Sequence, residues 1–241
     1  MTVAIDKSVR ELALENPAST RVFEKLGIDY CCGGNQSLRE ACQSANLRLD
    51  QVLDSLEKAE QATPVTQKNR DWQAEPLASL IEHIQSTHHK YTREEIARLG
   101  PLFEKACSVH RKDHPELFEV REIFQGLARE LNAHLMKEEM ILFPYILRIE
   151  AMAAGNGPIA RPPFGSVQNP ISMMEHEHDS AGNALRAIRE ATNGYSAPAD
   201  SCLSYQTLYQ ALAHFEADLH QHIHLENNIL FSRAVAIEKG R

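Results

Sequence analysis

Four stretches of the chain carry apolar residues at alternating spacings of three and four, and in three of them histidine, joined in two by glutamate, interrupts the stripe. The second stretch reads Val120, Phe124, Leu127, Leu131, His134, Glu138, Ile141, Tyr145. The third reads Ile171, Met174, His178, Ala181, Leu185, Ile188, and the fourth Tyr205, Leu208, Leu212, Phe215, Leu219, His222, Glu226, Ile229, Arg233. That period belongs to a helix buried along one seam. The expected helices run from about Pro76 to Leu99, Pro115 to Ile149, Pro170 to Asn193 and Cys202 to Val235, with a Gly- and Pro-rich loop from Gly155 to Gly165. Strand-type alternation is absent. Four long helices joined by loops pack as an up-down four-helix bundle, so the expected fold class is all-α.

A carboxylate in such a seam is costly to bury unless something compensates its charge. Glu138 and Glu226 each follow a seam histidine by four residues, His134 and His222. Positions i and i+4 share one helix face, so each pair offers a nitrogen and an oxygen to one ion. The segment from His134 to Pro144 also aligns with that from His222 to Ser232, matching His, Glu, Ile, Leu and Phe in order. Two copies of one ligand motif predict two pseudo-equivalent half-sites: a dinuclear centre bridged by carboxylates. A seam donor set of imidazole and carboxylate without cysteine suits iron or manganese better than a thiolate-rich structural zinc site. In the first helix the stripe Leu77, Leu80, Ile81, Ile84, Tyr91 centres on His88, and His89 lies about 100° away on an ideal helix. His176, His220 and His224 fall off the seams and read as supporting or surface residues. His110 and His114 precede the second helix in a loop.

Residues 1–62 read as a small helical domain. Ser8 with Glu11 and Ser37 with Glu40 are capping boxes, Asn16-Pro17 opens a helix, and Gly27 closes it. Asp29-Tyr30-Cys31-Cys32-Gly33-Gly34 forms a turn. Residues 63–75 read as a linker, and 76–241 as the bundle. The net charge of −8 argues against nucleic acid as a partner. No apolar run reaches the roughly 18 residues of a membrane span, and no signal-peptide pattern opens the chain, so a cytoplasmic location is expected. Five cysteines, an odd number, argue against a disulfide framework. Adjacent cysteines pair only with strain, so Cys31 and Cys32 are expected either as an exposed thiol pair that binds iron in transit, exchanges thiols or contacts a client, or as small residues in a tight turn. Cys42, Cys107 and Cys202 read as small apolar residues.

Taken together, these residues resemble the di-iron iron–sulfur cluster repair family. The carriers are the double-Cys-Gly-Gly turn, Asp71-Trp72, His134-x-x-x-Glu138-Glu139-x-x-Leu142-Phe143-Pro144, Met174-Glu175-x-Glu177-His178-Asp179 and His222-x-x-x-Glu226-Asn227-Asn228. The resemblance covers nearly the whole chain and implies a hemerythrin-like bundle behind a ScdA-type N-terminal domain. It implies a non-haem centre of two iron ions, bridged by Glu138, Glu226 and an oxo group. The implied ligands are His89, His134, Glu138, His178, His222 and Glu226. On the first helix the family spacing thus selects His89, where periodicity selects His88. Oxygen-carrying hemerythrins have one more histidine on the third helix. Here the positions four away from His178 are Met174 and Gly182, which leaves coordination positions open. Glu130 and Glu177 flank the seams and are expected along an access path. The implied role is repair of clusters damaged by nitric oxide or peroxide. The implied partners are the damaged iron–sulfur proteins, NO or O2 as small ligands, and a second copy of the chain. A non-enzymatic iron donor is the favoured form; an NO-reducing oxidoreductase, a gas sensor or a zinc-stapled bundle are the alternatives.

Overall fold

The computed structural model describes residues 5, 7–62, 71–155 and 163–240. The Gly157, Pro158 and Pro162 positions of the loop between the second and third expected helices, and most of the expected linker, lie outside them. Among the described residues no helix is long and apolar enough to cross a membrane. Contacts divide the chain into two compact units: Met1–Pro76 with His220–Ser232, and Leu77–Leu219 with Arg233–Arg241.

Among the described residues the first unit includes four short helices, α1 (Val9–Glu15), α2 (Ala18–Leu26), α3 (Leu38–Ser44) and α4 (Leu49–Ala62). Both expected capping boxes form: Ser8 and Ser37 accept from the backbone N–H groups of Glu11 and Glu40, whose carboxylates accept in return. The two helix starts are tied together, because Leu38 N donates to the Lys7 carbonyl and Val9 N to that of Gln36. Asn16 Oδ1 accepts from Ala18 N, and Gly27 ends α2 in the left-handed conformation at φ 68°. The core comprises Val9, Ala13, Phe23, Ile28, Tyr30, Leu38, Ala41, Cys42 and Val52, with Leu49, Leu53 and Leu56 packed against it. Residues 220–232 join this unit through side chains. His220 Nδ1 lies 3.1 Å from Glu24, Asn228 Nδ2 donates to the Tyr30 carbonyl at 3.1 Å, and Arg10 donates to Ser232 Oγ at 2.7 Å.

Four rods follow. Rod α5 joins Leu77–His83, Ile84–His89 and Lys90–Val109; α6 joins Glu116–Lys137, Glu138–Leu142 and Phe143–Ala153; α7 is Gln168–Ala191; α8 joins Leu203–Ile223, His224–Phe231 and Ser232–Lys239. The middle segments of α5, α6 and α8 are π-helical, with i→i+5 hydrogen bonds. Rods α5 and α6 are antiparallel, as the pairs His89–Glu139 and Glu104–Arg121 require. Phe124 packs in the core against Phe103, tilted with ring centroids 5.2 Å apart, and edge-on against Phe215 at 5.7 Å.

The structure departs from the periodic reading in two places. Rod α5 continues past Leu99 through Gly100 and Pro101 to Val109. The proline forfeits one backbone hydrogen bond, yet Leu99, Phe103 and Ala106 keep the stripe buried beyond it. Each π turn also accommodates one extra residue and so rotates everything after it. Ile141, expected in the seam, is 52% exposed, while Leu142, Tyr145, Ile146 and Ile149 are buried. In α5 the stripe after the turn runs through Thr92, Glu95 and Leu99, which leaves Tyr91 half-buried.

Candidate metal centre

The π turns settle where the histidines of the first rod point. Ile84 is buried on the stripe, and an undistorted helix would bring His88 next. The widened turn Ile84–His89 shifts the phase. His88 Nδ1 instead meets Asp218 Oδ1 at 3.1 Å, and the His89 Nε2 atom lies 3.4 Å from Glu138 Oε2. Residues brought to one place by π turns recur on the other rods: Glu138 opens such a segment in α6, and Glu226 lies within one in α8.

Two groups of donor atoms converge. The ligand atoms of His89, Glu138, His222 and Glu226 all lie within 4.8 Å of one another, and so do those of His134, Glu138, His178 and Glu226. Both groups share the same two glutamates. Glu138 and Glu226 are 0% exposed, in surroundings where an ionised carboxylate costs several kcal/mol unless a cation or donors offset it. Nitrogens face them closely: His134 Nε2 is 3.3 Å from Glu138 Oε2, and His222 Nε2 is 3.0 Å from Glu226 Oε1. His178 Nε2 and His134 Nε2 approach to 3.0 Å. Four imidazoles and two carboxylates, without a thiol among them, fit borderline-to-hard divalent metal.

The outer nitrogens of two of these histidines are held. Nδ1 of His89 meets Glu139 Oε1 at 2.7 Å, and Arg93 grips the Glu139 carboxylate through Nη1 and Nη2, both at 2.9 Å. His134 Nδ1 meets Glu177 Oε2 at 2.9 Å, and Lys137 donates to the other oxygen of Glu177. Burial raises both carboxyl pKa values, but Arg93 with His89, and Lys137 with His134, outweigh it and leave Glu139 and Glu177 below the usual carboxylate value. Such contacts fix the tautomer so that Nε2 faces inward. Glu139, Arg93, Lys137 and Asp218 escape the stripe reading because they lie off the seams. Glu177 and Glu130 line a cavity of about 290 Å³ together with His134 and His178.

Cys31 and Cys32 are not among the donors of either group. Asp29 Oδ1 accepts from the backbone N–H of both, each at 3.0 Å, and the sulfurs are 3.9 Å apart and not bonded. Cys31 is buried rather than exposed as expected, and Cys32 is half-buried. The turn closes tightly: a Cβ on Gly34 would stand 2.6 Å from the Tyr30 carbonyl oxygen, so only glycine fits. The adjacent Cys32 sulfur and then burial push the Cys31 thiol well up, so it stays protonated at neutral pH. His224, off the seam by period, is buried with its ring 5.3 Å from that of Tyr30, and burial and then Arg10 push its pKa down to about 4. Of the other off-seam histidines, His176 is exposed, His220 is half-buried, and His110 and His114 are both buried.

Comparison with known proteins agrees with this architecture. Residues 80–234 match the hemerythrin HHE cation binding domain, and residues 5–60 match ScdA_N, described as a domain of unknown function (DUF542). The chain is 38% identical over 231 residues to the iron-sulfur cluster repair protein YtfE of Pectobacterium atrosepticum, covering 95% of this chain and 97% of that protein. It is 37% identical to a probable iron-sulfur cluster repair protein of Haemophilus influenzae, over 95% of this chain and 96% of the relative. It is 38% identical to YtfE of Escherichia coli O81, over 97% and 98%. With both domains matched and the similarity running nearly end to end, the chain belongs to the YtfE-type iron–sulfur cluster repair family.

Proposed function

We propose that His89, His134, His178, His222, Glu138 and Glu226 hold two iron ions, and that the protein uses them in the cytoplasm to restore iron–sulfur clusters damaged by nitrosative or oxidative stress. The observation that carries the reading is the sharing of both glutamates by the two four-residue groups. A carboxylate common to two sets of ligands would serve both ions, with His89 and His222 holding one and His134 and His178 the other. When bound, such a pair supplies releasable iron and open positions for NO or O2.

The protein's own groups then divide the work. Glu138 and Glu226, both wholly buried, would offset the positive charge of the ions. Glu139 and Glu177 hold the imidazoles of His89 and His134 with Nε2 inward. Glu130 and Glu177 provide an acidic approach along the cavity. Cys32, half-buried beside the buried Cys31, is the more accessible sulfur for receiving iron or touching a client, and the protonated state of Cys31 disfavours it as a standing nucleophile.

The test is chemical. Protein purified without oxygen is expected to carry about two irons per chain, and iron-labelled protein is expected to reactivate an NO-damaged or apo cluster enzyme with transfer of label. Zinc in place of iron would remove the reading. So would label transfer no faster than from free iron, as far as donation is concerned.

A further inference from the structure

We propose that the two metal positions are inequivalent, and that the ion held by His134 and His178 is the one that exchanges, through the cavity beside Glu130 and Glu177, while the ion held by His89 stays. This rests on the di-iron reading above and deepens it by naming which position gives up its metal.

The two sides are built differently. His134 and His178 both line the cavity, and His89 is not among its lining residues. At about 290 Å³ the space far exceeds what one water needs, so water or a small chelating group reaches those imidazoles. Ligand exchange at a metal needs an incoming donor as much as a departing one, so the side with access exchanges first. The lining carries the carboxylates of Glu130 and Glu177 against the single ammonium of Lys137, a net acidic path that favours a departing cation. Glu177 divides its oxygens between Lys137 and His134, and the flexible lysine stem lets that contact open.

His89 has the opposite surroundings. Its Nδ1 is fixed by Glu139, and Glu139 is fixed by a two-pronged arginine, which resists displacement better than a point charge. The imidazole also stacks on Phe143, with ring centroids 5.6 Å apart and planes within 24°, and Phe143 is itself buried. The ring therefore cannot swing away from its ion without breaking an aromatic stack and a charge-assisted hydrogen bond.

The experiment follows iron leaving the fully loaded protein after mixing with excess ferrozine. Two phases of about one iron per chain each are expected, separated at least ~10-fold in rate. Glu139→Gln is expected to speed the slow phase by about 10-fold or more and leave the fast one unchanged, since loss of such an outer contact weakens metal binding by about 10–100-fold. Glu139→Asp should recover part of the slow rate, which a loss of general packing would not. Ser180→Phe, which fills the cavity, is expected to slow the fast phase alone, and Ala133→Leu serves as a smaller plug if phenylalanine disturbs the fold. Release of both irons in one phase would overturn the proposal. So would Glu139→Gln accelerating the fast phase, or the plugs slowing both phases alike. A wild-type protein that never carries two irons would instead overturn the di-iron reading itself, so the two failures are distinct.

Discussion

The adjacent histidines of rod α5 allow a sharp test, because one substitution at each position separates ligand from support. His88 Nδ1 makes a part-buried hydrogen bond to Asp218 at 3.1 Å. Losing it in His88→Gln costs about 1 kcal/mol, or about 2–4 °C of melting temperature for a protein of this size. That loss is the same with and without iron. His89, wholly buried with Nε2 toward Glu138, would contribute through the proposed metal. A ligand that binds only the folded state, present at about 100 times its dissociation constant, stabilises by about 2.7 kcal/mol, which corresponds to roughly 5–11 °C. His89→Gln should lose this iron-dependent increment and at least one iron per chain, whereas His88→Gln should keep both. The assay is iron analysis together with thermal unfolding of iron-loaded and stripped protein. If His88→Gln loses the iron and the increment while His89→Gln retains them, the phase shift assigned to the Ile84–His89 turn is wrong.

Gly34→Ala forces a Cβ to within 2.6 Å of the Tyr30 carbonyl, and a cost of about 1–3 kcal/mol is expected as a lower urea midpoint; an unchanged midpoint would mean the turn yields freely. His114, raised by its hydrogen bond to Glu116 and, more weakly, by Asp200, stabilises the fold fully below its ordinary pKa of 6.5 and loses that contribution as pH rises through the higher folded value. The stability gap between wild type and His114→Gln, read by urea unfolding, should therefore shrink from pH 6 upward, and a gap that widens contradicts the assignment. Gly126 lies in α6 with nothing within 4 Å of an added Cβ, so Gly126→Ala should raise stability by about 1 kcal/mol and leave iron content unchanged.

Much of the fold was legible because burial of a helix face leaves a periodic trace. The third-rod stripe from Ile171 to Ile188 is buried at every position named. The capping boxes were readable for a similar reason, since Ser8 and Glu11 act on atoms three residues apart. What the stripe hides is a change of period. A rule of threes and fours assumes 3.6 residues per turn throughout, and it loses phase at every π turn. Hence Ile141 lies outside and His88 misses the group that His89 joins. Rod α5 runs past Pro101 because packing of Phe103 and Ala106 outweighs a local breaker. The contacts of Arg93 with Glu139 and of Lys137 with Glu177 join different rods, and no spacing along one helix announces them.

A widened turn also makes the rod tolerant of a deletion and intolerant of straightening. Removing one residue between Ile84 and His89 would let the backbone relax to an ordinary spiral with the His89 imidazole four places after Ile84, and the 20-residue segment Lys90–Val109 would keep its faces. Straightening the turn at full length would instead swing every side chain of that segment by about 100°. Leu99, Phe103 and Ala106 would then turn toward water together with His89. In this rod, hold on the proposed metal and closure of the greasy interior are governed by a single shared gear setting, and neither is retuned without the other.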